Sequence, residues 1–458
     1  MNLVFAMILS IGIKGISAIV EIVIQMLITN GVGVSEYGQY TFFVSLIEGA
    51  YFVLFSGSIK LNTFYLSTQS ASLIKFKRKY MLYFVTPVIA IIILAFTLMK
   101  NSYGILAGVV LYIYYIAFDM SSEFFSRGKQ LPALLGEYLL GRIILLIGMV
   151  TVIKLNLVNG IVLLMLYGLQ FVTMICWFIP NKKKLTAGAD EVKVPLKKLL
   201  EYQMSDVANS FINYSPTIFQ YIVGGAFTAG FTGIISIVKR FINFISGPTA
   251  KVFLPEFSRL YKSGEREKLE QSYLMIVRIQ MVFIGTIGCI LIGFPHFILK
   301  LFSPDLVQYS FVFTIAACSL LLVAGIGPVT GMLQMTGEER VCNQNQWISI
   351  GAMVLVSLFL HNKPLFAVYG LCVQALVEGG MKYYSVCKWF GKNIVPFSNY
   401  ILLWLPVGVI RILVDTMGWQ NSIIAFILST FFVFVWNIVF SMQDPMIKKA
   451  IVNRIKKS

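Results

Sequence analysis

The chain has 458 residues, 58% of them hydrophobic and only 12% charged, with a mean hydropathy of +0.81. A water-soluble domain carries about 25% charged residues, so the composition excludes one and points to a chain solvated mainly by lipid. The net charge of +17 would suggest nucleic acid in a soluble protein. Here the cations fall between apolar runs, and nucleic acid is not an expected partner.

In chain order, the apolar runs long enough to cross about 30 Å of hydrocarbon at about 1.5 Å per residue are Leu3 to Thr29, Gly38 to Leu66, Tyr80 to Met99, Gly104 to Ser126, Ala133 to Ile153, Gly160 to Ile179 and Leu199 to Val223. Gly230 to Phe253, Leu269 to Phe294, Tyr309 to Met335, Val341 to Leu360, Leu365 to Cys387, Ser398 to Met417 and Ser422 to Met442 complete the series. The expected fold class is therefore all-α, a polytopic membrane protein of about fourteen transmembrane helices. The first run carries Lys14 and Glu21 and is too long for a signal-peptide core, so it reads as a retained membrane helix.

Every second gap is basic. Lys75, Lys77, Arg78 and Lys79, then Arg127 and Lys129, then Lys182 to Lys184 with Lys193, Lys197 and Lys198, then Lys251, Arg259, Lys262, Arg266 and Lys268 lie on one side. Arg340, Lys388, Lys392 and the tail with Lys448, Lys449, Arg454, Lys456 and Lys457 keep the phase. The positive-inside bias predicts that both termini and the basic loops are cytoplasmic.

The longest hydrophilic stretch suggests a division: a six-helix half over 1–180, a basic linker over 181–198, a second six-helix half over 199–392, and two further helices with a basic tail over 393–458. A weak repeat supports it. Gly38, in Glu36-Tyr37-Gly38-Gln39-Tyr40, opens the second span as Gly230, in Ala229-Gly230-Phe231, opens the eighth, and Gly128 and Gly337 stand at the breaks after the fourth and tenth. Pro87, Pro216, Pro248, Pro328 and Pro406 interrupt apolar runs and favour kinks.

The six cysteines show no CxxC spacing, and the two histidines, His296 and His361, are far apart in sequence. Neither pattern supports a metal site. No nucleotide-binding loop, HExxH motif or long external loop is present. An enzyme is therefore not expected, and a membrane-embedded glycosyltransferase or polymerase lacks its paired carboxylates.

Chemistry is left to ionisable residues inside the spans, which are costly there and usually face a bundle interior. Lys14, Arg142, Lys239 and Arg240, with Lys60 nearer the cytoplasmic end of its span, are the candidates for holding an anionic group such as a phosphate or pyrophosphate. Lys239 and Arg240 are adjacent and point in different directions from mid-membrane, so at least one faces a cavity. Asp119 and Glu123, four apart and alike in charge, and Asp206 are the candidates for binding a coupling cation. Glu378 with Lys382, and Arg411 with Asp415, are spaced to neutralise one another along one helix face.

Two segments carry a family resemblance: Gly33-Val34-Ser35-Glu36-Tyr37-Gly38-Gln39-Tyr40, and Phe253-Leu254-Pro255-Glu256-Phe257-Ser258-Arg259-Leu260-Tyr261-Lys262-Ser263-Gly264-Glu265. Both resemble recurrent loops of the polysaccharide and O-antigen flippases in the multidrug/oligosaccharidyl-lipid/polysaccharide (MOP) exporter superfamily. The resemblance implies movement of undecaprenyl-pyrophosphate-linked repeat units, for O-antigen, capsule or exopolysaccharide, across a bacterial inner membrane by alternating access. It implies membrane lipids, a polysaccharide polymerase and chain-length proteins as partners, and coupling to H⁺ or Na⁺ with no other cofactor. A lipid II flippase and a cation-coupled multidrug exporter share the architecture and stay open at this point.

Overall fold

The computed structural model describes residues 3–56, 79–126, 130–182, 196–393 and 397–442. Among these the backbone is helical almost throughout and contains no strand. Hydrocarbon offers no partner for a peptide N–H or C=O, so a span must satisfy its own backbone, which a helix does.

A helix stands at each expected span. In the first part of the chain these are α1 (Leu3–Val32), α2 (Val34–Leu54), α3 (Thr86–Leu98), α4 (Ser102–Ser126), α5 (Gly141–Lys154), α6 (Gly160–Lys182) and α7 (Leu196–Gly224). They are followed by α8 (Ala226–Lys262), α9 (Arg266–Gly288), α10 (Ser310–Ala324), α11 (Glu339–Phe359), α12 (Phe366–Phe390), α13 (Phe397–Thr416) and α14 (Ile423–Met442). Eight stretches among the described residues are long and apolar enough to cross a membrane by composition alone. The others carry polar groups inside the span, as α7 does with Asp206, α11 with Asn345 and α12 with Glu378 and Lys382. The molecule is a multi-pass membrane protein, and its outer helices show it. Ile424, Ile427, Leu428 and Phe431 of α14 are exposed while Val433 and Asn437 on its other face are fully buried, an arrangement stable only against lipid.

Two elements differ from the expected spans. The segment from Phe253 to Glu265, expected as a loop, is helical to Lys262, and only Ser263–Glu265 turn the chain into α9. Phe257 and Leu260 recur at helical spacing and are buried with Leu269 and Tyr273 of α9, so an amphipathic stripe extends the helix where mean apolarity has ended. The tenth span is broken: α10 stops at Ala324 and a short helix resumes at Val329–Met335. Gly327 there takes φ 95°, Pro328 follows it, and the Tyr273 hydroxyl donates to the Ile326 carbonyl at 2.6 Å, which satisfies a group the break exposes. Of the second span, α2 covers Val34–Leu54, and the expected end at Leu66 falls within residues 57–78, outside the described ones.

Residues 1–234 and 235–458 form two compact units, the division falling inside α8. Most of the expected linker, with the basic tail and Lys60, lies outside the described residues. Unit 1 contains α1 to α7 and the first turns of α8. Gly33 and Gly225 take left-handed φ of 84° and 83° immediately before α2 and α8. Gly38 and Gly230 follow each at the same spacing, so the two helix starts are built alike, and within unit 1 they touch. A Cβ on Gly38 would lie 1.7 Å from the Ala226 carbonyl oxygen, and one on Gly230 would lie 2.5 Å from that of Val34. Unit 2 has its core where Tyr273, Ile276 and Val277 of α9 meet Met332, Leu333 and Val386.

Candidate functional site

In unit 1 the polar interior is assembled by α1, α2, α4, α7 and a π-helical turn, Leu135–Leu140, that leads into α5. A π turn inserts a residue and re-aims its neighbours. Here it presents Glu137 to the Ser121 hydroxyl, which donates to it at 2.6 Å, and sets the Tyr138 ring 4.9 Å from the Lys14 ammonium. Arg142, one turn on, pairs with Glu21 at 3.3 Å. Lys14, Glu21, Tyr138 and Arg142 thus form one partly buried group, and the two unit 1 cations proposed from sequence that lie among the described residues, Lys14 and Arg142, belong to it.

Beside it lies an acid and tyrosine cluster. The Tyr167 hydroxyl donates to Glu48 at 2.7 Å, and Asp119, Glu137 and Asp206 all lie within electrostatic range of the buried Tyr51 ring. Tyr51 meets Tyr114 edge-on at 4.6 Å, and Tyr114 meets Phe171 in the same way. Glu48, Glu123 and Asp206 are buried. No group of three metal-ligating side chains occurs among the described residues, so these carboxylates are spread around aromatic rings rather than gathered on one point. The tyrosines were not singled out from sequence. Tyr51, Tyr114 and Tyr167 sit in spans that read simply as apolar, and only the helix facing that brings Glu48 to Tyr167 reveals them.

In unit 2, Glu378 and Lys382 pair along α12 at 2.6 Å, as their spacing predicts. The Gln374 amide donates to the other Glu378 oxygen at 2.5 Å and reaches Ser349 of α11 at 3.4 Å. Lys239 of α8, half-buried, lies within electrostatic range of both Glu378 and Lys382. Both ammonium groups therefore lie in the field of one carboxylate, and the Lys382 contact to it is direct. Arg240 points elsewhere and is exposed, in keeping with the divergence expected of adjacent helical residues. Arg411 pairs with Asp415 at 3.0 Å. All six cysteines are free. Lys14 and Arg142 belong to unit 1, and Lys239 and Arg240 to unit 2.

No family model matches the chain, and no curated protein matches it. Solved structures do. A structure described as the lipid II flippase MurJ in an inward closed conformation aligns over 95% of this chain and 98% of its own, with TM-score 0.69 and 14% identity. An inward-facing multidrug-resistance MATE transporter of the MOP superfamily aligns over 82% and 98%, with TM-score 0.61 and 15% identity. The fold is that of the MOP-superfamily transporters. The MATE multidrug transporter DinF-BH, solved as a complex, aligns over 85% of this chain and 94% of its own, with TM-score 0.57 and 14% identity. The MurJ alignment covers nearly the whole chain.

Proposed function

We propose that this protein is a flippase that carries undecaprenyl-pyrophosphate-linked oligosaccharide repeat units across a bacterial inner membrane by alternating access, with both termini cytoplasmic. The observation that carries this reading is the charged cluster inside unit 2, where Lys239 lies within electrostatic range of the paired Glu378 and Lys382. Ionisable groups inside a span are costly and mark substrate pathways, and two lysines brought near one another favour an anion such as a pyrophosphate. Lys239 and Arg240, with Lys14, Arg142 and Lys60, are the proposed contacts. The MOP fold and the likeness to a structure named as a lipid II flippase support a lipid-linked cargo. Coupling is assigned to the carboxylates of unit 1, Asp119, Glu123 and Asp206, as sites for H⁺ or Na⁺. Membrane lipids, a polysaccharide polymerase and chain-length proteins are the proposed partners.

The experiment is deletion of the gene followed by assay of lipid-linked intermediates in inside-out and right-side-out vesicles. Repeat units trapped on the cytoplasmic leaflet with surface glycan lost are the expected result. Normal glycan with altered drug resistance would instead establish a multidrug exporter. Charge-assisted hydrogen bonds contribute about 1.5–3 kcal/mol each, so Lys239→Ala with Arg240→Ala is expected to lower transport by about 100-fold or more while protein level holds. Asp119→Asn with Asp206→Asn is expected to make the remaining transport insensitive to collapse of the ion gradients. A second reading, a lipid II flippase, is favoured by the coverage of the MurJ structure, and complementation of a strain lacking its own lipid II flippase separates the two.

A further inference from the structure

At the end of unit 2 that carries the basic turn between α8 and α9, the structure holds a cavity of about 360 Å³ lined by Leu260, Tyr261, Gly264, Arg266, Leu269 and Trp389. Its floor is apolar, since Leu260 and Leu269 are buried. Its wall is aromatic: the Tyr261 and Trp389 rings stand 6.2 Å apart. Its one charge is Arg266, whose guanidinium lies 5.1 Å from the Trp389 ring centre and donates to the Trp389 carbonyl.

Two of the three neighbouring acids are already engaged, and the third, Glu267, is exposed. Glu265 is paired with Lys268, and that bond, reinforced by one from the Ser263 hydroxyl, holds its carboxyl below the usual carboxylate range. Glu270 pairs with Lys392 at 2.9 Å. Arg266 itself forms no ion pair among the described residues. A guanidinium held over an indole and bonded to its backbone carbonyl has spent part of its rotamer freedom in advance, and its remaining N–H groups suit the paired oxygens of a phosphate. Arg259 and Lys388 are exposed on the same end of the unit and add to the attraction for anions.

We propose that this cavity is a binding site for the headgroup of an anionic phospholipid from the leaflet on the basic-loop side. Its phosphate would sit on Arg266 and its glycerol and upper acyl carbons against Tyr261, Trp389 and the leucine floor. The occupant follows from three features together: a single preorganised cation, an apolar floor that a free inorganic anion would not use, and tyrosine and tryptophan at helix ends, where membrane interfaces lie. A basic group at an anionic membrane surface contributes about 1 kcal/mol, or about a fivefold preference for anionic over zwitterionic lipid. The site is independent of the cargo assigned above.

Trp389 is the reporter. In phosphatidylcholine vesicles containing brominated phosphatidylglycerol, the emission that Trp389→Phe removes is expected to be quenched about fivefold more than with the same fraction of brominated phosphatidylcholine. Arg266→Gln should abolish that preference and Arg266→Lys should restore part of it, which separates loss of charge from loss of fold. Equal quenching by both lipids, a preference that survives Arg266→Gln, or displacement of phosphatidylglycerol by inorganic pyrophosphate would each overturn the assignment, the last by making the site one for soluble phosphates.

Discussion

Gly38→Ala is expected to prevent recovery of folded protein, or to lower its stability by about 3 kcal/mol or more, although alanine is the better helix former. The two effects can be weighed. Replacing glycine by alanine inside a helix gains about 1 kcal/mol of propensity. Against that, the new Cβ would lie 1.7 Å from the Ala226 carbonyl oxygen and 2.8 Å from the Gly230 nitrogen. Neither is the end of a flexible side chain, so the clash is relieved only by moving α8 away from α2. Overpacking of this kind costs about 1–3 kcal/mol where side chains can yield, and more where they cannot. The contact is also the type on which membrane helices depend, since lipid offers no hydrophobic force to push them together and close backbone approach at small residues supplies the packing.

The check is thermal unfolding in detergent beside Gly351→Ala, where an added Cβ meets nothing within 4 Å and propensity should win. A Gly38→Ala protein as stable as that control would show that the α2–α8 contact is not close in the folded molecule. Gly230→Ala, with a 2.5 Å approach to the Val34 carbonyl oxygen, should fail in the same way. The double variant should cost less than the sum of the two, because both Cβ atoms force the same helix separation.

The positions of the helices were legible because crossing a bilayer demands long apolar runs, and a run is a property of sequence alone. What a helix end does was less legible. The continuation of α8 to Lys262 and the break at Gly327 depend on partners, Leu269 with Tyr273 in one case and the Tyr273 hydroxyl in the other, which lie far along the chain. The candidate site divides along the same line. Local pairs such as Glu378 with Lys382 follow from a spacing of four. The pairing of Arg142 with Glu21 and the seat of Lys14 on Tyr138 depend on which faces of α1 and α5 meet, and the tyrosine cluster depends on the facing of several helices at once. Gly38 and Gly230 were visible as equivalent helix openings. That they touch could not be read from either segment.

Glu378→Gln is expected to cost about 3 kcal/mol, and Lys382→Met distinctly less, because the carboxylate pairs with Lys382 and also lies within electrostatic range of Lys239. Removing one member of a buried ion pair costs about 3–5 kcal/mol, mostly because the partner is left uncompensated. The side chains of Lys382 and Glu378 are only 20% and 14% exposed, so solvent screens them little. With Glu378 neutral, Lys382 and Lys239 lose a common partner, and the Gln374 contact at 2.5 Å exchanges a charged acceptor for a weaker neutral one. With Lys382 neutral, Glu378 keeps Gln374 and still has Lys239 within electrostatic range. The combined Glu378→Gln, Lys382→Met variant should recover about 1 kcal/mol or more relative to Glu378→Gln alone. Equal costs for the two single variants would mean that Lys239 does not act on the carboxylate, and the observation behind the proposed pyrophosphate contact would fall with it. Transport follows the same logic. Lys382→Met removes one of the two cations near the proposed anion contact and lets Glu378 draw more on Lys239, so it should slow cargo movement while costing less stability than Glu378→Gln, an inverse order that a merely structural ion pair would not produce.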